Sequence, residues 1–212
     1  MLFRSYEEVL KLFLKGSARQ VFPLLEASGL FAALFPFFQI WIEGNGRGRW
    51  ILETNLTGMD DLHRQGEPLS PGFFLASFLG PLLEEKALAC HREGTPHQQA
   101  LHTECTSALQ EICRTVTIPG RVGSQMRSVL ALQPSLHRRP PRRPAALVKR
   151  PDFGHALAYL RLVAQTREGY DKTLQWWDAY LSGTPLVEDS MEKGKDNGSG
   201  KRRRKRRRRK KT

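Results

Sequence analysis

The most distinctive chemistry in this sequence lies in a run of eleven consecutive lysines and arginines at positions 201–211. Such a run repels itself, so we expect it to be disordered in isolation. Against a phosphate backbone it would release condensed counterions, which gives salt-sensitive binding without sequence preference. A solubilising tail, an anionic-membrane patch and a localisation signal are the alternatives. Nucleic acid is favoured because the run lacks the apolar or aromatic residues that usually accompany a membrane-binding tail.

A second cationic feature, which we call the basic segment, spans residues 112–151 and contains nine basic and no acidic residues. Eight of the nine are arginines, which suits bidentate contact with phosphate. The alternative is a solvated face with a chance charge bias. Four of these arginines lie in the proline-rich stretch His137–Pro144, which we call the basic elbow and expect to be stiff. The candidate RNA contacts are Arg121, Arg127, Arg138, Arg139, Arg142, Arg143, Lys149, Arg150, Lys201, Arg202, Arg203 and Arg204.

Two adjacent tryptophans near the end of the helical part differ in their expected roles. Trp177 is in helical phase with Leu174 and Leu181, which predicts that it anchors a terminal helix in the core. Trp176 lies off that face, so it is the better candidate for stacking on a nucleic-acid base.

The sequence offers no catalytic or metal site. Asp60 and Asp61 are adjacent and point in different directions on a helix, whereas two-metal chemistry needs carboxylates that converge. No nucleophile elbow, phosphate-binding loop or zinc-protease motif occurs. Cysteines and histidines cluster in one region without a recognised zinc spacing: Cys90, His91, His97, His102 and Cys105.

The composition bounds the class of protein. The chain has 212 residues, a net charge of +13 and 40% apolar residues, enough for a core without disulfides. Three cysteines without a CxxC spacing favour a reducing compartment. The longest apolar stretch, residues 30–42, is too short to span a bilayer. Two glutamates near the N-terminus argue against a signal peptide. We therefore expect a cytoplasmic protein.

The hydrophobic pattern is helical nearly everywhere, and no stretch alternates long enough to argue for a strand. We expect an all-α fold: an irregular multi-helix body over residues 1–181, a flexible linker over 182–200 and a disordered basic tail over 201–212. Ser17 with Gln20 has the spacing of a capping box, and three glycines predict a loop over residues 44–49. Helices are expected over residues 5–16, 17–29, 30–35, 37–42, 50–63, 71–88, 96–116, 119–136, 152–167 and 170–181, with a helical turn or two between Pro144 and Pro151.

Prolines mark several of the expected boundaries. Ser70 with Pro71 has the pattern of a cap followed by proline in the first helical turn. Pro36 divides two short apolar helices. Pro81 predicts a kink within the helix that follows Ser70, and Pro23 predicts a kink or a late start in an earlier one.

Three parts of the chain resemble one known family. The opening EEVLKLFLKGSARQVFPLLEASGLFAALFP resembles the segment that follows the catalytic part of bacterial poly(A) polymerase I. VTIPGRVGSQMRSVLALQPSLHRRPPRRPAALVKRPDFGHALAYLRL is similar to a second region of that family, and LQWWDAY to its paired-tryptophan helix. The arginine-rich end resembles the family's C-terminal tail. The order and spacing of these pieces agree over residues 7–180.

The resemblance implies a role in mRNA processing. Family members add adenylates from ATP to RNA 3′ ends, using Mg²⁺ and a nucleotidyltransferase head with a Gly-Gly turn and a D-x-D pair. Neither motif occurs here, so the chain resembles the RNA-binding body, and we expect no adenylation by it alone. Three interpretations remain: the chain is a fragment, a frameshifted gene product or a genuine protein without the head.

The partners that the resemblance implies are single-stranded RNA 3′ regions and a separate nucleotidyltransferase head or RNA-decay proteins. No membrane partner is expected. The alternative function is that of a non-enzymatic RNA-binding adaptor with a polycationic tail.

Overall fold

The computed structural model describes residue 8, residues 10–114 and residues 116–184. Within these residues the regular elements are all helices, which confirms the all-α prediction for this part of the chain. They are α1 (Ala18–Ala27), α2 (Leu30–Leu34), α3 (Pro36–Gly44), α4 (Gly48–Arg64), α5 (Pro71–Arg92), α6 (His97–Ile112), α7 (Gly120–Leu136), α8 (Pro144–Val148), α9 (Phe153–Ala164) and α10 (Asp171–Ser182).

Helix α5 forms the centre of the fold. It begins as predicted at Pro71, where the Ser70 hydroxyl accepts a hydrogen bond from the Phe73 amide at 3.1 Å. Every residue from 72 to 83 is buried, as expected for a helix that is apolar on all sides. Helices α4, α6, α7 and α9 pack around it. The helix continues to Arg92, four residues beyond the predicted end. Most residues of this C-terminal part are exposed.

The short apolar helices α2 and α3 contribute to the core. They are separated at Phe35 and Pro36, as predicted. The rings of Phe31, Phe35 and Phe38 all lie within 6.0 Å of the Phe78 ring on α5, with Phe38 closest at 4.8 Å. These contacts attach the N-terminal helices to the central one.

The predicted capping box at the start of α1 is wrong. Ser17 makes no side-chain capping hydrogen bond. Instead the buried carboxylate of Asp60, on α4, accepts hydrogen bonds from the amides of Ala18 at 2.8 Å and Arg19 at 3.0 Å. An anion at a helix N-terminus satisfies free amides and complements the helix dipole. Asp60, which is 42 positions from Ala18 in the chain, therefore caps α1 in place of Ser17.

The predicted glycine-rich loop is shorter than expected, because Gly44 ends α3 and Gly48 begins α4. Gly48 is buried, and a Cβ there would lie 3.4 Å from the Trp41 ring and 3.3 Å from the Asn45 side chain. The missing side chain allows a tight connection between the two helices. Glycine in a helix costs up to about 1 kcal/mol relative to alanine. The packing at this connection offsets that cost.

Pro81 lies inside α5 without ending the helix. Proline has no amide hydrogen, so the carbonyl of Ser77 loses its usual intrahelical donor. The buried side chain of Asn55, on α4, donates to that carbonyl from Nδ2 at 2.9 Å. Pro23 likewise lies inside α1, which begins at Ala18, so the late start that we considered for this helix does not occur.

Candidate nucleic-acid interface

The end of α7 fixes the beginning of the basic elbow. The carbonyl of Leu136, the last residue of α7, accepts a hydrogen bond from Trp177 Nε1 at 3.0 Å. Trp177 is fully buried and its ring lies 5.2 Å from that of Phe153. This confirms the prediction that it lies in the core, where it anchors α10, the last helix of the described residues. The first residues of the elbow are therefore attached to a rigid part of the core.

The elbow itself projects its arginines outward. Arg138, Arg139, Arg142 and Arg143 are exposed, whereas Pro141 between them is buried. Arg143 has a φ of 60° and its carbonyl accepts the amides that begin α8. Leu147 on α8 is buried in turn. The buried proline and leucine hold the backbone, and the guanidinium groups extend from it into solvent.

The remaining candidates of the basic segment lie on either side of the elbow. Lys149 and Arg150 are exposed directly after α8, and Arg121 is exposed in the first turn of α7. Arg127 is half-buried, with Nη2 3.4 Å from the Ser124 hydroxyl. The 17 residues of α7 span about 25 Å. Arg121, near the start of α7, therefore lies about 25 Å from the elbow, which follows its end.

The cations of the basic segment differ from the other arginines in their pairing. Most of the described arginines elsewhere in the fold are paired with carboxylates: Arg19, Arg49, Arg64, Arg161 and Arg167. The exceptions are Arg47, which donates to the carbonyl of Thr166 at 3.1 Å, and Arg92, which is exposed. Within the basic segment only Arg114 is paired, with Glu111. In the part of the chain that the structure describes, no carboxylate forms an ion pair with Arg121, Arg127, Arg138, Arg139, Arg142, Arg143, Lys149 or Arg150. Their charge is therefore available to an anion.

Trp176 is half-buried, in contrast to its neighbour. Its ring stacks on that of Tyr180 at 5.1 Å and meets the edge of Trp177 at 5.0 Å. A base stacking on Trp176 would have to use the ring face that Tyr180 leaves uncovered. The other predicted contacts, Lys201, Arg202, Arg203 and Arg204, lie outside the described residues, as do the predicted tail and residues 185–200 of the predicted linker.

A groove of about 290 Å³ adjoins the elbow, and no motif in the sequence pointed to it. Its polar lining includes Glu84, Gln133, His137, Arg167 and Tyr170. These residues come from three distant parts of the chain, so no local pattern could have connected them.

Glu84 is the acidic residue of the groove lining, and its side chain is 13% exposed. Its carboxylate accepts hydrogen bonds from the Tyr159 hydroxyl at 3.1 Å and from Arg167 Nη1 at 2.9 Å. Burial raises the pKa of Glu84, and the opposing charge of Arg167 limits the effect. Burial and the nearby Glu84 charge raise the pKa of Tyr159 well above its ordinary value. The tyrosine therefore stays a neutral donor to the carboxylate.

His137 is the first residue of the elbow and part of the groove wall. Its ring meets the edge of the Tyr170 ring at 4.4 Å. Burial, and secondarily the charge of Arg167, lower the pKa of His137. The neutral imidazole is therefore favoured at this position.

The cysteine and histidine cluster does not form a metal centre. Among the described residues, no group of three or more His, Cys, Asp or Glu side chains is arranged to hold a metal ion. Burial raises the pKa of Cys105 to about 12, so this thiol remains protonated. None of the described helices is both long and apolar enough to traverse a bilayer.

Comparison with known families defines the class of protein. The model for the arginine-rich C-terminus of polymerase A matches residues 93–211, more than half of the chain. A second model, described as the probable RNA- and SrmB-binding site of polymerase A, matches residues 3–41. The chain therefore belongs to the polymerase A family, which confirms the resemblance seen in the sequence.

Curated relatives place the match within that family. Poly(A) polymerase I of Salmonella typhimurium is 30% identical over 193 residues, which cover 89% of this chain. The protein of the same name from Escherichia coli O6:H1 has the same identity and coverage. The aligned region spans 42% of the length of each of these relatives. The similarity is therefore to part of poly(A) polymerase I.

Proposed function

We propose that this chain is an RNA-binding portion of a bacterial poly(A) polymerase and holds the 3′ region of single-stranded RNA for adenylate addition. The observation that supports this is the set of exposed cations on the elbow, which have no carboxylate partner within the described residues. A backbone held by buried anchors and carrying unpaired guanidinium groups is suited to phosphate contact. Its affinity would be largely independent of sequence and sensitive to salt.

The adenylation reaction itself belongs to the nucleotidyltransferase head of an intact family member, which uses ATP and Mg²⁺. The described residues provide no arrangement of ligands that fits a metal ion. We therefore assign no catalytic step to them. Their role is to bind and orient RNA.

The test is fluorescence anisotropy of a labelled single-stranded RNA, titrated with the full chain at several salt concentrations. The variant is R138A/R139A/R142A, which removes three unpaired elbow cations and leaves Arg143, whose positive φ makes substitution structurally ambiguous. The control is R64A/R114A/R161A, which removes the same charge from arginines already paired with acids. Circular dichroism of both variants checks that the helices remain.

The elbow variant should bind more weakly, and the slope of log affinity against log salt should fall by about 2, since each single-strand phosphate contact contributes about 0.7. The control should retain most of the wild-type slope. Equal losses in the two variants would mean that only net charge matters, and would refute a site on the elbow.

A further inference from the structure

The connection between α3 and α4 exposes an aromatic ring. Trp50, in the first turn of α4, is 45% exposed, whereas the other described phenylalanines, tyrosines and tryptophans are buried or half-buried. It ends the stretch of residues 44–50, which neither family model covers. A large ring left in solvent forgoes the stability that its burial would give. The exposed face of Trp50 is therefore available to a ligand.

Arg47 lies over this ring. Its guanidinium carbon is 5.0 Å from the centroid of the Trp50 ring, within the range of a cation–π contact. Its Nη2 also donates to the carbonyl of Thr166 at 3.1 Å, so the guanidinium is held both by the ring and by the backbone that follows α9. A guanidinium has several further N–H donors. Those donors are directed by a side chain whose position is already fixed.

Two acidic residues near this connection are already engaged. Glu85, on α5, accepts hydrogen bonds from two side chains of the connection, at 2.9 and 3.1 Å. Glu53, about one turn after the start of α4, pairs with Arg19 and Arg49. In the part of the chain that the structure describes, no carboxylate forms an ion pair with Arg47. Its charge is therefore available to an anion beside an exposed ring.

The surface around Trp50 suits one planar group better than a protein partner. The residues that follow it at helical spacing on α4 are polar: Thr54, Thr57 and Asp61. A stable protein interface needs a buried apolar centre within a contact of roughly 800 Å² on each partner, and these neighbours do not provide one. An isolated ring beside a cation is instead the arrangement on which single-stranded nucleic acid stacks its bases.

The Arg47–Trp50 pair lies beside the groove that adjoins the elbow. Thr166, which accepts the hydrogen bond from Arg47, is followed in the chain by Arg167. Arg167 lines the groove together with His137, the first residue of the elbow. The pair and the elbow therefore both neighbour the walls of one groove.

We propose that Arg47 and Trp50 form a second contact for single-stranded RNA, in which one unpaired base stacks on the Trp50 ring and Arg47 binds a neighbouring phosphate. Since every base has an aromatic face, this contact accepts any base. The inference rests on the proposed RNA-binding function and adds to it a stacking contact outside the basic segment. The elbow binds backbone charge, and the pair distinguishes a strand that carries bases from a bare backbone.

The test is fluorescence anisotropy of the full chain with two labelled oligomers of equal length, oligouridylate and an abasic ribose-phosphate oligomer. Trp50→Ala removes the ring, and Trp50→Phe keeps an aromatic face. The control is Ile40→Ala, which removes an apolar side chain that is 70% exposed and cannot stack as a ring does. Circular dichroism of each variant checks that the helices remain.

Wild type should bind oligouridylate more tightly than the abasic oligomer. Trp50→Ala should weaken oligouridylate binding at least about fivefold, the lower range for one stacked base, and leave abasic binding unchanged. Trp50→Phe should retain most of the affinity for oligouridylate, and Ile40→Ala should retain all of it. A merely structural role of the ring would affect both oligomers alike.

The phosphate contact of Arg47 is tested by Arg47→Ala against Arg92→Ala, which removes the same charge from another exposed arginine. The slope of log affinity for oligouridylate against log salt should fall by about 0.7 in Arg47→Ala, the contribution of one single-strand phosphate. Arg92→Ala should keep the wild-type slope. Equal slopes in the two variants would overturn the phosphate contact.

Oligouridylate binding that is unchanged in Trp50→Ala would overturn the stacking contact and leave the exposed ring to a protein partner. Equal losses for both oligomers in that variant would also overturn it. If the proposed function itself fails, the abasic oligomer shows no salt-dependent binding to wild type, so the two failures are distinguishable.

Discussion

At the scale of single residues, buried polar side chains replace the local signals of the sequence. Asp60 caps a helix that begins 42 positions earlier, and Asn55 supplies a hydrogen bond that a proline cannot make. Each satisfies a backbone group that would otherwise be left without a partner in the core, where such a loss costs about 1–3 kcal/mol. The stability of the helices therefore depends on a few specific side chains.

The cap on α1 gives a direct prediction. Replacing Asp60 with alanine should lower the free energy of unfolding by about 1–2 kcal/mol, because the first amides of α1 lose their acceptor. Urea denaturation followed by circular dichroism measures the change. Asp61→Ala is the neighbouring control. It removes an exposed ion pair with Arg64 and should cost about 0.5 kcal/mol or less. Similar losses in both variants would argue against the cap.

His137 should make stability depend on pH. Because burial lowers its folded pKa below the ordinary 6.5, the unfolded chain binds its proton first. The stability that it contributes is present above pH 6.5 and decreases as the pH falls from there towards the folded pKa. In His137→Gln this loss should disappear, as measured by urea denaturation across that range.

The control for this experiment is His102→Gln, at an exposed position on α6. It should retain the wild-type dependence on pH. Glu84, whose folded pKa is raised, contributes the opposite trend and is common to all three proteins. An unchanged pH dependence in His137→Gln would show that the imidazole is not desolvated in the folded state.

At the scale of elements, α5 organises the body because it is buried over most of its first half and packs against helices on several sides. Its close approach to α9 requires a glycine. A Cβ at Gly80 would collide with the hydroxyl of Tyr159. That hydroxyl is the donor to Glu84, so helix packing and the groove wall share the same contact. The position of the Glu84 carboxylate in the groove wall therefore depends in part on how α5 and α9 meet.

The proline inside α5 gives a prediction at this scale. Asn55→Leu should lower the free energy of unfolding by about 1–3 kcal/mol, because the Ser77 carbonyl loses its donor. Pro81→Ala restores a backbone amide that can donate to the same carbonyl. The double variant should therefore lose less stability than the sum of the single variants, and a double-mutant cycle of denaturation energies measures this coupling. Strict additivity would show that Asn55 does not compensate for the proline.

At the scale of the whole molecule, positive charge is concentrated rather than spread. Residues 1–111 contain 13 acidic and nine basic residues, whereas the basic segment and the run at 201–211 together contain 20 basic residues and no acidic ones. A distribution of this kind directs a polyanion to part of the protein. Arg19, Arg49 and Arg64 of the acidic part are used in ion pairs, whereas eight of the nine cations of the basic segment form none among the described residues, so unpaired positive charge is densest there.

The run at 201–211 should add to RNA binding without being its only source. A full-length variant with these eleven residues replaced by glycine and serine keeps the chain length and removes their charge. Its salt dependence should be shallower than that of wild type, by about 0.7 for each cation that contacts single-stranded RNA, with the contribution of the elbow retained. A variant that no longer binds RNA would show that the elbow is not an independent site, and an unchanged slope would show that the run takes no part.

The sequence by itself determined the helical class, most helix positions, the core location of Trp177 and the cationic character of the basic segment. These four properties follow from the hydrophobic periodicity and the composition of short stretches of the sequence, which need no information about distant residues. The capping residue of α1 was predicted incorrectly, because the carboxylate of Asp60 comes from a distant helix. The glycine-rich loop was predicted too long, because packing around Gly48 allows α4 to begin within it.

Only the tertiary structure decided which cations are unpaired and where the groove lies. The pairing of Arg167 with Glu84 joins residues 83 positions apart, and Gln133 meets the groove only because α7 packs against α5. Such contacts arise when helices bury their apolar faces together, since burial brings distant polar groups within hydrogen-bond distance. No local pattern encodes that distance, so the sequence could identify the basic segment but not the ion pairing of its surroundings or the position of the groove.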